Sequence, residues 1–403
     1  MKARSEWFGG ILSLERPRAL VSVNRAMMRL LGFSGSPRWE GRDPGHLSAP
    51  TEVHVVLSRR CSAGCTSCYV DATPQGDALS LAQARGALDR LAAHGVFHVA
   101  LGGGEATDLD YLFEVASYAR SVGILPNLTT AGLNMTPEMA ERCRVFGQIN
   151  VSIDGVGDRY REARGFDGFA HAENALRLLR AVKKEVGINC VVSRTSYPHL
   201  AEVVKLARRL RLNEVELLRF KPAGRGAGTF DAEDLTPEQA RGIFPLAQWL
   251  TVRYLIRCKL DCSFAPMVFW HKPRLWVARF FGVVGCEGGN LLASVMPDGA
   301  LTGCSFGGPS EGSIFDAEAT RAAFANGFTA FRGYTDNAPA PCNTCEYLSL
   351  CKGGCRVVAK AKGDWYQPDP GCPRVQEHRA REAALLPEAL RGATRRSLPV
   401  LRS

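Results

Sequence analysis

The sequence lacks any long hydrophobic run and any apolar segment near its start. No stretch approaches the roughly 20 consecutive apolar residues that cross a bilayer, so we predict no membrane partner. Charged residues recur every few positions through residues 1–30, which argues against the apolar core of a secretory signal. The fourteen cysteines are therefore expected to lie in a reducing cytoplasm, where thiols stay free for metal instead of pairing in disulfides.

A strong excess of one charge is also lacking. The 50 basic and 40 acidic residues give a net charge of +10, but the basic residues are spread along the chain. The only dense run, 391–402, is typical of a solvated tail, so we predict no nucleic-acid partner. With 403 residues, 46% of them hydrophobic, the chain can bury a large core in two or three domains.

Short apolar runs alternate with longer segments of helical periodicity through the first 235 residues. This alternation predicts an α/β fold, a partial (β/α)6 TIM-like barrel. Its six predicted strands are 52–57, 97–101, 124–129, 148–153, 187–192 and 214–220. The carboxyl ends of parallel strands form the active face of such a barrel, so the residues after each strand are the candidates for chemistry.

Three cysteines, Cys61, Cys65 and Cys68, follow the first predicted strand. A tetrahedral zinc site closes with four protein ligands, and an ordinary [4Fe-4S] cluster takes four cysteines. Three close cysteines therefore leave one iron of a cluster open to a small molecule. Zinc binding and a redox thiol cluster are the alternatives.

A second cysteine set occupies the last third of the chain. Asp298 and Gly299 predict a turn between its first two members, which places their thiols at the ends of a short hairpin. Cys143 and Cys190 lie on segments with core-like periodicity and are predicted to be small buried residues. The second set comprises Cys286, Cys304, Cys342, Cys345, Cys351, Cys355 and Cys372.

The first three cysteines, followed by the aromatic Tyr69, resemble the signature of the radical S-adenosylmethionine (SAM) superfamily. The seven later cysteines resemble the SPASM domain of that superfamily, and the resemblance covers residues 52 to about 375. It implies that SAM chelates the open iron of a [4Fe-4S] cluster. Reduction then cleaves SAM to a 5'-deoxyadenosyl radical, which abstracts a hydrogen from substrate.

The resemblance also implies how SAM is held. A GGE motif contacts its amino group, with Ala106 here standing where proline is usual. A strand-end motif lies near the ribose and carboxylate, an arginine pairs with the carboxylate, and the backbone of the sixth strand meets the adenine. Gly103, Gly104 and Glu105 match the GGE motif, and Ser152 and Asp154 match the strand-end motif. Arg164 matches the arginine, and Leu218 matches the position on the sixth strand. Arg161 could pair with the SAM carboxylate in place of Arg164.

For the SPASM cysteines the resemblance implies two auxiliary iron–sulfur clusters, which we predict to be of the [4Fe-4S] type. One has a complete shell of four thiolates. The other has three, and its fourth position is either Cys262 or an iron open to substrate. The complete shell is Cys342, Cys345, Cys351 and Cys372, and the other set is Cys286, Cys304 and Cys355.

The implied function is oxidative modification, crosslinking or cyclisation of a ribosomal peptide or protein, with electrons from a donor such as flavodoxin or ferredoxin. One alternative is a small-molecule enzyme such as a haem-pathway decarboxylase, because the glycine-rich basic loop 221–225 would suit propionates. An alternative of another class is a non-catalytic zinc or cluster-binding protein. Nothing in the sequence indicates an oligomeric state.

Five segments follow from these assignments. Residues 1–50 match no motif and are too few for a winged-helix peptide-recognition domain. We expect a helix over residues 10–33. The others are the core barrel at 51–235, a bridging helical segment at 236–285, the auxiliary-cluster domain at 286–375, and a terminal helix with the basic tail at 376–403.

Overall fold

A computed structural model describes residues 2–15, 18–182 and 185–385. The basic run at 391–402 lies outside these residues. The strands are β1 (Lys2–Glu6), β2 (Gly9–Glu15), β3 (Arg18–Asn24), β4 (Glu52–Ser58), β5 (His98–Gly103), β6 (Leu125–Thr130), β7 (Gln148–Ser152), β8 (Glu185–Val192), β9 (Glu214–Arg219), β10 (Arg257–Leu260), β11 (Leu292–Val295) and β12 (Leu301–Thr302).

The helices cover the outside of the sheet and build the C-terminal region. They are α1 (Arg25–Leu30), α2 (Leu81–Ala93), α3 (Leu112–Ser121), α4 (Pro137–Arg142), α5 (Asp158–Arg164), α6 (Phe169–Ala181), α7 (Leu200–Arg209), α8 (Phe230–Glu233), α9 (Pro237–Tyr254), α10 (Ala265–Trp270), α11 (Leu275–Phe280), α12 (Ala317–Asn326), α13 (Thr329–Arg332), α14 (Leu348–Cys351), α15 (Arg356–Ala361) and α16 (Pro373–Leu385). None of the described helices is long and apolar enough to span a bilayer.

The six predicted strands are β4 to β9, and each pairs in parallel with the next. Alternate side chains of these strands point outward, where Val55 and Leu57 of β4 share one core with Leu88 of α2 and Leu176 of α6. The prediction of a partial barrel is confirmed. The helix α2 begins with the capping box of Ser80 and Gln83, as the sequence indicates.

The N-terminal segment differs from the prediction. The helix expected over residues 10–33 is wrong, because β1, β2 and β3 form an antiparallel sheet there and only Arg25–Leu30 is helical. Buried Arg4 donates hydrogen bonds to the Ala49 and Pro50 carbonyls, and Lys2 donates to the Val96 carbonyl. This small sheet is therefore attached to the chain just before β4 and β5, at the amino ends of the barrel strands.

Two later strands extend the sheet at both edges. β10, in the predicted bridging segment, pairs in parallel with β9, and β11 pairs in parallel with β4. The hairpin of β11 and β12 confirms the predicted turn, since Gly299 has a φ of +84° and Asp298 accepts a hydrogen bond from the Ala300 amide at 3.0 Å. The C-terminal region is thus continuous with the barrel sheet.

Candidate cluster and cofactor sites

The loop of Cys61, Cys65 and Cys68 follows β4 directly. The Cys61 amide donates to the Thr73 carbonyl at 3.0 Å, which ties the start of the loop to its return. Two sulfur atoms accept backbone hydrogen bonds, Cys61 from Ala63 at 3.4 Å and Cys68 from the Ala72 amide at 3.3 Å. Such donors stabilise the thiolate that binds iron, and at Cys61 the Ala63 amide opposes burial, which raises the pKa of the thiol to about 11.

The glycines after β5 pack against the chain that leads into this loop. A Cβ atom on Gly103 would lie 2.3 Å from the Ser58 carbonyl oxygen, and one on Gly104 would lie 2.0 Å from that of Arg60. Gly103 also has a φ of +125°. Only glycine allows this approach, in which the Gly104 amide donates to Ser58 at 2.6 Å.

Glu105 has a different environment from the one expected of an amine ligand. Its carboxylate is buried and accepts hydrogen bonds from the Thr107 amide and hydroxyl, the Thr130 hydroxyl at 2.6 Å and the Ala131 amide at 2.7 Å. It therefore joins the ends of β5 and β6. Its predicted contact with the SAM amino group stays a prediction, and sequence reasoning missed this internal role.

Asp154 and Arg164, predicted separately, meet beside the cysteine loop. Arg164 Nη1 donates to Asp154 at 3.0 Å and Nη2 lies 3.5 Å from the Cys65 sulfur. The other Asp154 oxygen accepts from the Val191 amide at 2.7 Å, which connects the ends of β7 and β8. Arg161, the alternative, is exposed and pairs with Asp158. Ser152 ends β7 next to this pair, and Leu218 lies on β9 beside Val191.

Two buried donors at this point have no partner among the described residues. They are Arg164 Nε and the hydroxyl of Tyr160, whose ring lies 5.5 Å from the Arg164 guanidinium. Burial raises the pKa of Tyr160 to about 12, so the hydroxyl remains a donor at neutral pH. Unpaired buried donors are costly unless a ligand accepts from them. Tyr160 is a candidate site residue that the sequence motifs did not indicate.

The basic loop after β9 is engaged within the protein. Arg225 donates to the carbonyls of Cys65 and Ala72 and pairs with Asp71 at 2.8 Å. Lys221 is buried and pairs with Asp261. Both cations of the loop are thus paired within the protein, where Arg225 holds the cluster-binding segment in place, and their contact with substrate propionates stays a prediction.

The predicted complete auxiliary shell encloses a cavity. Its volume is about 280 Å³, and its other lining residues include Pro266, Leu348 and Arg374. No three His, Cys, Asp or Glu side chains in the described ranges converge as the ligands of a single metal ion do. The cysteines that line the cavity are Cys342, Cys345, Cys351 and Cys372.

The other auxiliary set gathers around Cys262. Burial raises the pKa of Cys262 well above its usual range, and the charges of Asp261, Cys286 and Cys355 add to that effect. Burial likewise raises the pKa of Cys304 to about 12, with further contributions from Cys286 and Cys355. Cys262 and Cys304 thus both lie near Cys286 and Cys355, and the choice between Cys262 and an open iron as the fourth position stays a prediction.

The remaining cysteines lie apart from these sets. Cys143 and Cys190 are fully buried in the main core, as predicted, and Cys258 lies on β10 with its sulfur 3.7 Å from the Ile256 carbonyl. All fourteen cysteines are free of disulfide bonds.

A three-thiol loop at the carboxyl end of β4, flanked by unpaired donors, defines a barrel enzyme built to hold an iron–sulfur cluster and a small ligand. Residues 55–209 match the family model of the Radical SAM superfamily. The barrel of this chain is therefore of the radical SAM type, and the cysteine-rich region that follows it resembles the SPASM type. A [4Fe-4S] cluster and SAM are the chain's cofactors.

Individual relatives extend over most of the chain. It is 28% identical over 361 residues to the PqqA peptide cyclase of Ruegeria pomeroyi, which covers 85% of this chain and 92% of the relative. It is 26% identical over 348 residues to the AdoMet-dependent heme synthase of Methanosarcina barkeri, with 81% and 97% covered. The crystal structure of Streptococcus suis SuiB bound to precursor peptide SuiA superposes with a TM-score of 0.73 at 15% identity, covering 92% of this chain and 98% of SuiB.

Proposed function

We propose that this enzyme cleaves SAM reductively and uses the resulting radical to modify a residue of a peptide or protein. The observation that carries the SAM site is the pair of buried, unpartnered donors on Arg164 and Tyr160 beside Cys65. A carboxylate placed there would accept from both, and a guanidinium suits it well. Asp154 fixes the position of the Arg164 side chain beside Cys65.

The residues that would hold the core cluster are Cys61, Cys65 and Cys68. When bound and reduced, the cluster supplies the electron that splits SAM to methionine and the 5'-deoxyadenosyl radical. Gly103 and Gly104 bring the end of β5 close to the chain that leads into the cysteine loop, beside the proposed position of SAM. The protein's own work is to orient SAM and to keep water from the radical.

Two aromatic rings form a wall between the core and first auxiliary cysteines. Tyr69 and Phe306 have ring centroids 4.8 Å apart, and the Tyr69 charge interactions include both Cys68 and Cys304. His54 stacks on Tyr69 with centroids 6.3 Å apart. We assign the substrate residue to the neighbourhood of these rings, since a radical on SAM's 5'-carbon must reach its target by direct contact.

The peptide substrate is supported by two comparisons. One is the peptide cyclase relative, and the other is the fold shared with SuiB. The heme synthase relative keeps the small-molecule alternative open. That alternative is weaker because Lys221 pairs with Asp261 and Arg225 pairs with Asp71, so both cations already have a carboxylate partner. A low-potential carrier such as flavodoxin or ferredoxin as donor, and a reducing cytoplasmic location, are parts of the same proposal.

The decisive experiment is incubation of anaerobically reconstituted enzyme with SAM, dithionite and candidate substrates. Precursor peptides form one arm and iron porphyrins bearing propionates form the other. Mass spectrometry of a peptide that loses hydrogen or gains a crosslink would support the proposal. Decarboxylated porphyrin with unchanged peptide would establish the alternative, and colourless protein with stoichiometric zinc would favour the non-catalytic one.

Iron content tests the cluster assignments. Three clusters predict about 8 to 12 irons per chain, depending on whether the auxiliaries are [2Fe-2S] or [4Fe-4S]. Cys262→Ala should lose or convert one cluster if Cys262 is a ligand, and Cys143→Ala is the matched control for a buried thiol. Unchanged iron and turnover in Cys262→Ala would restore the open-iron alternative.

A further inference from the structure

The short helix α11 and the residue after it carry a group of exposed aromatic side chains. Trp276, Phe280 and Phe281 are 64%, 79% and 73% exposed. Trp276 and Phe280 are one helical turn apart and so lie on the same face. The rings of Phe280 and Phe281 meet edge to face with centroids 5.3 Å apart. We call these three side chains the α11 patch. Exposed aromatic side chains grouped in this way are typical of a surface that binds a partner.

The surroundings of the α11 patch carry positive charge. No acidic residue occurs in the chain between Asp261 and Glu287. Over the same stretch Lys272, Arg274 and Arg279 are all exposed, and none of these three cations forms an ion pair with another described residue. The patch is thus an apolar centre with a basic rim, which is complementary to an acidic protein.

The buried side of α11 lies over the second auxiliary set of cysteines. Leu275 packs against an apolar cluster that contains the buried ring of Tyr347. Cys345 and Cys351, two of the four cysteines of that set, pack against the same cluster. The Tyr347 hydroxyl donates to the Pro273 carbonyl at 3.2 Å, which ties the start of the helix to this ring. One side of α11 is therefore directed toward the second auxiliary set, and its aromatic side chains are presented to solvent.

Charge and position together distinguish the occupants that the α11 patch could have. The C-terminal residues 386–403 contain four arginines and one glutamate, so the basic rim would repel them. A symmetric dimer through the patch would place the rim of one copy against that of the other. An anionic membrane or an acidic peptide matches the charge, but neither explains why the patch lies over the second auxiliary set. A protein electron carrier of acidic charge explains both.

We propose that the α11 patch is the docking surface for an acidic electron-carrier protein. Interfaces with such carriers are small, below about 1,200 Å², which suits a patch of three rings and three cations. The aromatic centre supplies affinity, and the cations raise the association rate and make binding sensitive to salt. This inference rests on the proposed function, in which a low-potential carrier is the electron donor, and it adds the place where that carrier binds.

Equilibrium binding of the full reconstituted chain to an oxidised, acidic flavodoxin tests the docking surface. In calorimetric titration at low salt, Trp276→Ala combined with Phe280→Ala should weaken binding roughly tenfold or more. Arg279→Glu should weaken it at low salt and have a smaller effect at high salt, because salt screens exposed charges. The matched control is Trp249→Ala combined with Arg253→Glu, an exposed pair one turn apart on α9, and it should bind as the unmodified chain does.

A second measurement separates this inference from the proposed function. Dithionite needs no docking surface, so the α11 variants should form 5'-deoxyadenosine normally with dithionite and more slowly with reduced flavodoxin. Flavodoxin binding that these variants leave unchanged, or that the α9 control also loses, would overturn the docking surface alone. Phosphatidylglycerol vesicles or polyglutamate that bind the patch as tightly as flavodoxin does, or a dimer that the variants dissociate, would overturn the choice of partner. No 5'-deoxyadenosine from the unmodified chain with dithionite would overturn the proposed function and this inference with it.

Discussion

Replacement of Asp369 by alanine is expected to destabilise the C-terminal region strongly. Asp369 and Arg219 are both fully buried and their charged groups lie 2.7 Å apart, joining β9 of the barrel to the segment before Cys372. The carboxylate also accepts hydrogen bonds from the amides of Cys355 and Gly371, each at 2.9 Å. One side chain thus organises the backbone at a ligand of each auxiliary site.

The size of the effect follows from what the substitution leaves behind. Removing one partner of a buried ion pair typically costs about 3–5 kcal/mol, because the other charge stays buried and uncompensated. The two amides that lose their acceptor add to this, at about 1–3 kcal/mol each when no water replaces the carboxylate. Arg219 keeps a second, longer contact with Asp234 at 3.4 Å, so we expect the free energy of unfolding to fall by about 3 kcal/mol in Asp369→Ala, the lower end of that range.

Urea unfolding of the apo-protein and iron analysis of the reconstituted protein measure the outcome. The control is Asp231→Ala, whose carboxylate is 81% exposed and pairs with Lys362, so its cost should stay within about 1 kcal/mol. Asp369→Ala should also lose auxiliary iron while the core cluster remains. The reasoning is refuted if both variants unfold at the same urea concentration and bind the same amount of iron.

Three further predictions concern the barrel. Gly104→Ala should abolish SAM cleavage, because its Cβ would meet the Arg60 carbonyl at 2.0 Å, whereas Gly86→Ala on the exposed side of α2 has open space and should leave 5'-deoxyadenosine formation unchanged. Arg164→Lys should weaken SAM binding roughly tenfold in equilibrium dialysis, since an ammonium cannot replace the fork that spans Asp154 and a ligand. Burial lowers the pKa of His54 to about 4, so between pH 6.5 and pH 4 the unfolded chain binds a proton at this residue and the folded chain does not. Urea unfolding should therefore show about 2 kcal/mol less stability from this group at pH 5 than at pH 7. His54→Gln should remove that difference.

Local sequence patterns predicted the features that depend on neighbours in the chain. The strands β4 to β9, the capping box at Ser80 and the turn at Gly299 each follow from a few consecutive residues. The contact between Asp154 and Arg164 could also have been predicted, because the carboxyl ends of parallel strands converge. These parts of the fold and site need no knowledge of distant contacts.

Features that depend on contacts between residues far apart in the chain could not be predicted from the sequence. The strand β11 completes the sheet against β4 across more than two hundred residues of chain, and no local pattern encodes that register. The helix predicted over residues 10–33 is wrong because strands β2 and β3 pair with each other there, and short apolar runs alone do not distinguish a strand from a helix. The hydrogen bond from Thr130 to Glu105 and that from Arg225 to the Cys65 carbonyl likewise form only when separate loops come together.

The most direct test of the account is SAM cleavage by a variant in which Cys61, Cys65 and Cys68 are all alanine. After anaerobic reconstitution and reduction, this variant should form no 5'-deoxyadenosine, while the spectra of the auxiliary clusters persist because their ligands lie on other segments. Formation of 5'-deoxyadenosine at the rate of the unmodified enzyme would contradict the assignment of the radical chemistry to this loop.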